Sequence, residues 1–339
     1  MYRHCRQFLG KSKRFSALLT AFALLMITTG CIRSRPCPLL IAPGMMANGT
    51  YRSVPDQNLK LVTFNVWGLP SWMSGAKSGR YPRIARELER LDPDIVLLQE
   101  VWTANARKSA PADGRWSIAR AARQHNFFQQ SGLVTLSKFP IIGGEFYPFS
   151  RSAFPDRWVR KGALKVTVQL PGGEILNIWN VHLQNGDSHK IRRLQVEELL
   201  ARVEAAPDGQ VADLIGGDFN CTPASSLFRE LSSKLGQNLE PSGGAPAFVT
   251  WDGLSSKPGC GQTLDYLFLR TRSSLRSVRG YSRQIFVASR LDQRLSDHFG
   301  VEAVVGLSSA PQPVALAESG NDLRVAEVRV SRVGYGGSD

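Results

Sequence analysis

Six apolar stretches along the chain each stop at an acid, an amide or an imidazole. They are LVTFNVWG (61–68), IVLLQEVW (95–102), LNIWNVHLQN (176–185), LIGGDFN (214–220), TLDYLFL (263–269) and LSDHFG (295–300). Short, β-branched and bounded by Gly or Pro, such runs predict strands whose polar ends emerge together at a sheet edge. The same pattern predicts strands over 60–66, 95–99, 132–137, 141–147, 163–170, 174–183, 211–217, 264–270, 279–288 and 298–305. Helical spacing places Ile84, Leu88 and Leu91 on one face of a helix over 82–91, which Pro93 stops. A second helix is expected over 191–203, a third after an N-cap at Thr222-Pro223 through Leu231, and a fourth over 116–126.

Ten strands exceed one open sheet of ordinary size, so the pattern predicts two sheets packed face to face with helices outside. Pro171-Gly172-Gly173 joins two successive strands as a hairpin turn, which requires antiparallel pairing and argues against a purely parallel sheet.

The two ends read differently from the middle. Arg3, Arg6, Lys11, Lys13 and Arg14 precede an almost wholly apolar run over 15–27 and then Thr28-Thr29-Gly30-Cys31. That is the layout of an export signal over 1–30, too short in its apolar part to span a bilayer comfortably. Gly30-Cys31 resembles a bacterial lipobox, with Thr28 where an aliphatic residue is usual, so Cys31 is a candidate lipidated terminus. Ordinary secretion or an uncleaved anchor are the alternatives, and all three place the rest of the chain outside the cytoplasm. Residues 31–56, rich in Pro, Gly, Met and Ser, read as a tether. Residues 307–339 read as a low-complexity tail with an extra strand near 323–333.

The formal charge is +14, and five of those cations lie in the leader, leaving +9 on the exported part. The excess suits nucleic acid, anionic lipid or a phosphate substrate, or reflects a general arginine bias. No basic block interleaved with aromatics tracks a nucleic-acid backbone. Of the cysteines, Cys221 and Cys260 can pair in an oxidising compartment or stand as isolated buried thiols.

Glu100 and Asn65 follow runs that should be buried, and they offer the hard oxygen donors that Mg²⁺ takes. In Gly217-Asp218-Phe219-Asn220, Asp218 and Asn220 share one side while Phe219 packs inward. Asn180, His182 and Gln184 alternate on one strand, which predicts a polar face outside the core. Asp265 lies within an apolar strand and needs a partner; His298, after Asp297, is the candidate, giving an imidazole base fixed by a carboxylate. The set as a whole points to metal-assisted phosphoester hydrolysis.

Taken together and in order, FNVWG, LQEVW, NVHLQ, GDFN, LDY and SDH resemble the DNase I-like endonuclease/exonuclease/phosphatase superfamily over residues 57–306. The resemblance implies an α/β fold, a four-layer αββα sandwich of two mostly antiparallel sheets flanked by helices, with Mg²⁺, Mn²⁺ or another divalent cation as cofactor. It implies metal ligands at Glu100, Asn65, Asp218 and Asp297, and a catalytic set of His298, Asp265, His182, Asn220 and Asp218. Within the superfamily, SGL with SKFPI (131–141), Asp156 with Lys161-Gly162, and Thr250-Trp251-Asp252 are similar to neutral sphingomyelinases. That likeness implies substrate contacts from Lys161, Asp156 and Trp251, and a phospholipid headgroup as substrate. The long aromatic-tipped hairpin of secreted bacterial sphingomyelinases is missing from the sequence. Residues 69–73 and 146–149 either supply an apolar rim for a lipid surface in its place or pack as half-buried loops.

The expected protein is thus an exported, monomeric phosphodiesterase of the bacterial envelope, or secreted, that acts beside a membrane, held there where Cys31 is lipidated. A nuclease acting on DNA or RNA is the alternative with the same chemistry. A non-catalytic envelope binding module is the alternative of another class.

Overall fold

The computed structural model describes residues 37–42, 44, 57–74, 79–122, 130–206, 210–241, 248–254, 261–272, 275–288 and 291–309. The expected signal over 1–30, Cys31 and the strand near 323–333 lie outside them.

Thirteen strands form two sheets among the described residues. The first sheet holds seven: β1 (Leu39–Ala42), β2 (Gln57–Asn65), β3 (Ile95–Gln99), β4 (Ser117–Ala121), β5 (Val134–Ser137), β12 (Leu275–Ile285) and β13 (Gly300–Ser309), in the order β1-β4-β5-β3-β2-β13-β12. The second holds six: β6 (Ile141–Pro148), β7 (Gly162–Gln169), β8 (Ile175–His182), β9 (Ala212–Asp218), β10 (Gln237–Asn238) and β11 (Asp265–Thr271), in the order β10-β11-β9-β8-β7-β6. The hairpin at 171–173 joins β7 and β8 antiparallel, as its residues require.

Four layers follow from where the apolar side chains go. Between the sheets lie Leu61, Leu97, Ile178, Leu214, Leu267 and Val305, all buried. Outside the first sheet, α2 (Arg80–Leu91) packs Ile84 and Leu88 onto Phe64, Val96 and Leu98; α1 (Ser71–Ser74) is a single turn. Outside the second, α3 (His189–Glu204) and α4 (Ser226–Lys234) cover Trp179, Val181, Ile215 and Phe268. Each such side chain withdrawn from water contributes about 1.5–3 kcal/mol, so both faces of both sheets stabilise the fold.

Each sheet contains one parallel pair, β2 with β3 and β8 with β9. A parallel pair needs a crossover, and α2 and α3 supply the two. Parallel strands finish at the same edge, so these two units bring four polar strand ends together.

Three local expectations are corrected. Residues 117–121, expected as helix, form β4, because pairing with both β1 and β5 and the inward turn of Ser117 and Ala119 outweigh the helical preference of alanine. The helix after Asp218 is capped by Ser225, whose Oγ accepts from Phe228 N at 3.1 Å, one turn later than the expected Thr222 cap. The tether contains structure: Leu39–Ala42 pairs with β4 as an edge strand, and Cys37 bonds the backbone of Phe146 in both directions.

Candidate active site at the carboxyl ends of the parallel strands

Asn65 ends β2 opposite Gln99 of β3, and Glu100 follows; His182 ends β8 opposite Asp218 of β9. Antiparallel β11 begins at Asp265, facing Asp218, and His298 stands two residues before β13. Just past these strand ends the backbone enters the left-handed region without glycine, at Trp67 (φ 49°), Glu100 (φ 60°) and Asn220 (φ 49°). Such conformations cost about 1 kcal/mol or more each and persist where the surroundings impose them. Glycine is required at two nearby places. A Cβ on Gly217, at φ 143°, would fall 1.9 Å from Val181 O, and one on Gly68 would fall 1.9 Å from Glu100 O.

Asp218 is the hub. Its Oδ2 accepts from Asn65 Nδ2 at 3.1 Å and lies 3.4 Å from His182 Nε2 and 3.8 Å from His298 Nε2. Its Oδ1 accepts from Asn220 N at 2.9 Å, while Asn220 Nδ2 donates to Leu183 O at 3.0 Å. Asn65 Nδ2 also reaches Glu100 Oε1 at 3.2 Å. On the far side, His298 Nδ1 and Asp265 Oδ2 stand 2.8 Å apart, so the carboxylate holds the Nδ1–H tautomer and turns Nε2 toward Asp218. Asp297 accepts from Trp251 Nε1 at 3.3 Å and from Ser296 Oγ at 3.2 Å.

Charge in this dry pocket is unevenly resolved. Burial alone would raise Asp218, but the adjoining His182 ring and the charges of His298 and Lys161 hold its carboxyl well below the usual range. Burial pushes Asp297 up to about 6, with the Glu100 charge adding to it and His298 opposing. For His298, burial works downward and is outweighed by Asp265, Asp218 and Asp297, which together raise it to about 10. Burial raises Asp265 in turn, so the pair shares its proton.

The donor set fits a hard divalent cation. Glu100, Asp218 and Asn65 meet with an amide N–H₂ standing between two carboxylates; turned over, the same amide offers Oδ1 to that place and gives three oxygen ligands. Asp218, Asp265 and His298 also bring ligand atoms within 4.8 Å of one another, and Asp265 Oδ1 is buried without a hydrogen-bond partner.

All the expected metal and catalytic residues meet at this edge, and Lys161, Asp156 and Trp251, the expected substrate contacts, adjoin them. Lys161 is almost fully buried: its Nζ donates to His182 Nε2 at 2.7 Å and to Leu183 O at 3.0 Å, and pairs with Asp156 Oδ2 at 3.1 Å. Lys161, held by Asp156, therefore fixes His182 at the nitrogen that faces Asp218. Trp251 bridges His298 through the backbone and orients Asp297. The polar face of β8 is corrected. Asn180 is fully buried between the sheets, bonded to Gln99 Nε2, Leu98 O and Val134 O, and buried Gln184 braces Ala153. Of the expected rim, Phe146 and Phe149 are core, whereas Trp72 is 75% exposed. Cys221 is buried and forms no disulfide among the described residues, and Cys260, its candidate partner, lies outside them.

Two buried arginines escaped the sequence reading. Arg80 donates to Val66 O, Trp67 O and Leu295 O, tying the loop after Asn65 to the segment that carries His298. Arg192 donates to Gln184 O at 2.8 Å and Gly186 O at 2.5 Å, shaping the turn after His182. Their positions at helix starts gave no sign of burial, since carbonyl-binding arginines have no local signature. Thr250 is a third: its Oγ accepts from Leu264 N and Asp265 N, fixing the start of β11.

Comparison with known proteins agrees with this geometry. The inositol phosphosphingolipids phospholipase C of Schizosaccharomyces pombe is 26% identical over 302 residues, covering 76% of this chain and 70% of that protein. The solved structure of sphingomyelinase C from Streptomyces griseocarneus matches with a TM-score of 0.56 at 21% identity, over 73% of this chain and 99% of the other. A Staphylococcus aureus beta toxin variant with bound magnesium ions matches with a TM-score of 0.55 at 19% identity, over 73% and 99%. The family model described as Endonuclease/Exonuclease/phosphatase family covers residues 62–298, most of the described fold and every residue of the site, and the chain belongs to that family.

Proposed function

We propose that this phosphoric diester hydrolase is a divalent-metal-dependent phospholipase C of the sphingomyelinase type, releasing a phosphorylated headgroup by in-line attack of water. The observation that carries the reaction is the opposed pair of groups around Asp218: His298 with Asp265 on one side, Asn65 with Glu100 on the other. A divalent cation held by Glu100, Asn65, Asp218 and Asp297 would offset charge on the phosphoryl oxygens and the leaving oxygen.

The remaining work belongs to the side chains. With the charges of Asp218 and Asp297 that raise His298 offset by the cation, the imidazole is neutral at Nε2 and takes the proton of the attacking water, with Asp265 fixing the ring and stabilising the imidazolium. The second N–H of the Asn220 amide faces the phosphoryl group and binds a non-bridging oxygen, while His182, held at Nε2 by Lys161, positions Asp218 beside it. The lipid preference rests on the similarity to sphingolipid-cleaving enzymes and on the Asp156–Lys161 brace.

The test sets vesicles of sphingomyelin or phosphatidylcholine beside plasmid DNA, each with Mg²⁺ and with chelator. Headgroup release that needs the cation is the expected result. DNA cleavage without headgroup release would make the chain a nuclease. His298→Ala and Glu100→Ala should each abolish turnover, Glu100→Ala with a thermal melt near wild type and His298→Ala with the loss that an unpaired, buried Asp265 brings; wild-type turnover in either purified variant overturns the site.

A further inference from the structure

The loop over residues 150–158 is built to hold an aromatic side chain in solvent. Its base is pinned from below by two fully buried amides. Gln184 accepts from Ala153 N at 2.8 Å and donates to Ala153 O at 3.2 Å, and Gln195 donates to Arg151 O at 2.8 Å. Glu198 accepts from Ser150 N at 2.9 Å. The next residue, Phe154, stands 64% exposed on this pinned base. Arg151 and Arg157 flank it and are exposed, and the loop's one acid, Asp156, is committed to Lys161. An exposed aromatic between guanidinium groups is the composition of a surface that enters the headgroup region of an anionic bilayer.

The chain leading into the domain arrives at the same place. Cys37 bonds the backbone of Phe146, and its sulfur lies 3.4 Å from Arg160 Nη1, one residue before Lys161. Cys37 lies six positions after Cys31, which is at most roughly 20 Å of extended chain. A bilayer-held leader would keep this edge, and not the opposite one, within reach of the surface. Trp72, 75% exposed on α1 seven residues after Asn65, adds a second aromatic on a loop that departs from the site.

We propose that the 150–158 loop, through Phe154, Arg151 and Arg157 and assisted by Trp72, is a docking surface for an anionic lipid bilayer that presents substrate to the site. This rests on the phospholipase reading for its substrate, but the surface is measurable without turnover. The full chain carrying Phe154→Trp is mixed with vesicles of phosphatidylcholine, sphingomyelin and phosphatidylglycerol containing brominated lipid. Additional tryptophan quenching relative to wild type is expected, and none would overturn the proposal. Phe154→Ala should lower turnover on these vesicles about tenfold and leave hydrolysis of bis(p-nitrophenyl) phosphate, a soluble diester, unchanged. Arg151→Glu with Arg157→Glu should remove the gain that phosphatidylglycerol brings. Wild-type vesicle turnover in Phe154→Ala would place docking elsewhere. If the wild type hydrolyses neither substrate, the phospholipase reading fails, and the quenching result alone decides the surface.

Discussion

Lys161 Nζ stands 2.7 Å from His182 Nε2, and both side chains are buried. An ammonium has only donors, so the imidazole accepts there and its proton sits on Nδ1, which has no hydrogen-bond partner among the described residues. Lys161→Met would leave Asp156 facing an apolar group and His182 free to rotate. Breaking one side of a buried ion pair costs about 3 kcal/mol. A denaturant titration should record that loss, and turnover should fall with it. The double variant Lys161→Met with Asp156→Asn should recover part of the stability and none of the activity. Full recovery of activity would show that the brace does not position His182.

Cation binding should be visible as stability. Glu100, Asp218 and Asp297 face one pocket, and burial with the Glu100 charge already pushes Asp297 up, so a divalent cation relieves repulsion in the folded state alone. At a hundredfold excess over Kd such a ligand stabilises by about 2.7 kcal/mol, which moves Tm by roughly 5–10 °C in a domain of this size. Scanning calorimetry with Mg²⁺ against chelator should show that rise in wild type and little of it in Glu100→Gln. An equal rise in both would move the cation away from Glu100.

Burial pushes the Cys221 thiol up to about 12. The unfolded thiol titrates near 8.5, so the folded value is raised: the stability this group contributes is fully present below pH 8.5 or so and is lost as pH rises through 12. Between pH 6 and 8 it stays protonated and unreactive. Native protein treated with iodoacetamide at pH 8 should yield an unmodified Cys221 peptide by mass spectrometry, and unfolded protein a modified one. A Cys221–Cys260 cross-linked peptide under non-reducing conditions would replace this account with the disulfide.

The site was more legible than its supports, for a physical reason. A carboxylate or imidazole at the end of an apolar strand conflicts with its neighbours, and the conflict is visible locally, as at Glu100, His182 and Asp265. Arg80 and Thr250 act through backbone carbonyls and amides distant in sequence, so nothing beside them announces their partners. Asn180 misled for a related reason. An alternating polar face reads as solvent-facing, but Gln99 on the opposite sheet satisfies its amide in the dry interior, a partner 81 residues away. Residues 117–121 show the other limit, since pairing with a strand on each side decides their conformation more strongly than composition does.

Gly217 offers the sharpest test of the link between strand geometry and chemistry. It precedes the hub Asp218, has φ 143°, and any Cβ there would sit 1.9 Å from Val181 O on the parallel partner strand. The close approach is what sets His182 and Asp218 side by side. Gly217→Ala must push β8 and β9 apart or twist the end of β9, and either path costs about 3 kcal/mol or more. Gly143, on β6, has open space where its Cβ would stand, so Gly143→Ala is the matched control. Circular dichroism melts should show Gly217→Ala strongly destabilised and Gly143→Ala near wild type. If Gly217→Ala folds, its turnover should still be lost, because separating the strand ends also separates His182 from Asp218. A stable, fully active Gly217→Ala would mean that the parallel register does not hold the site together.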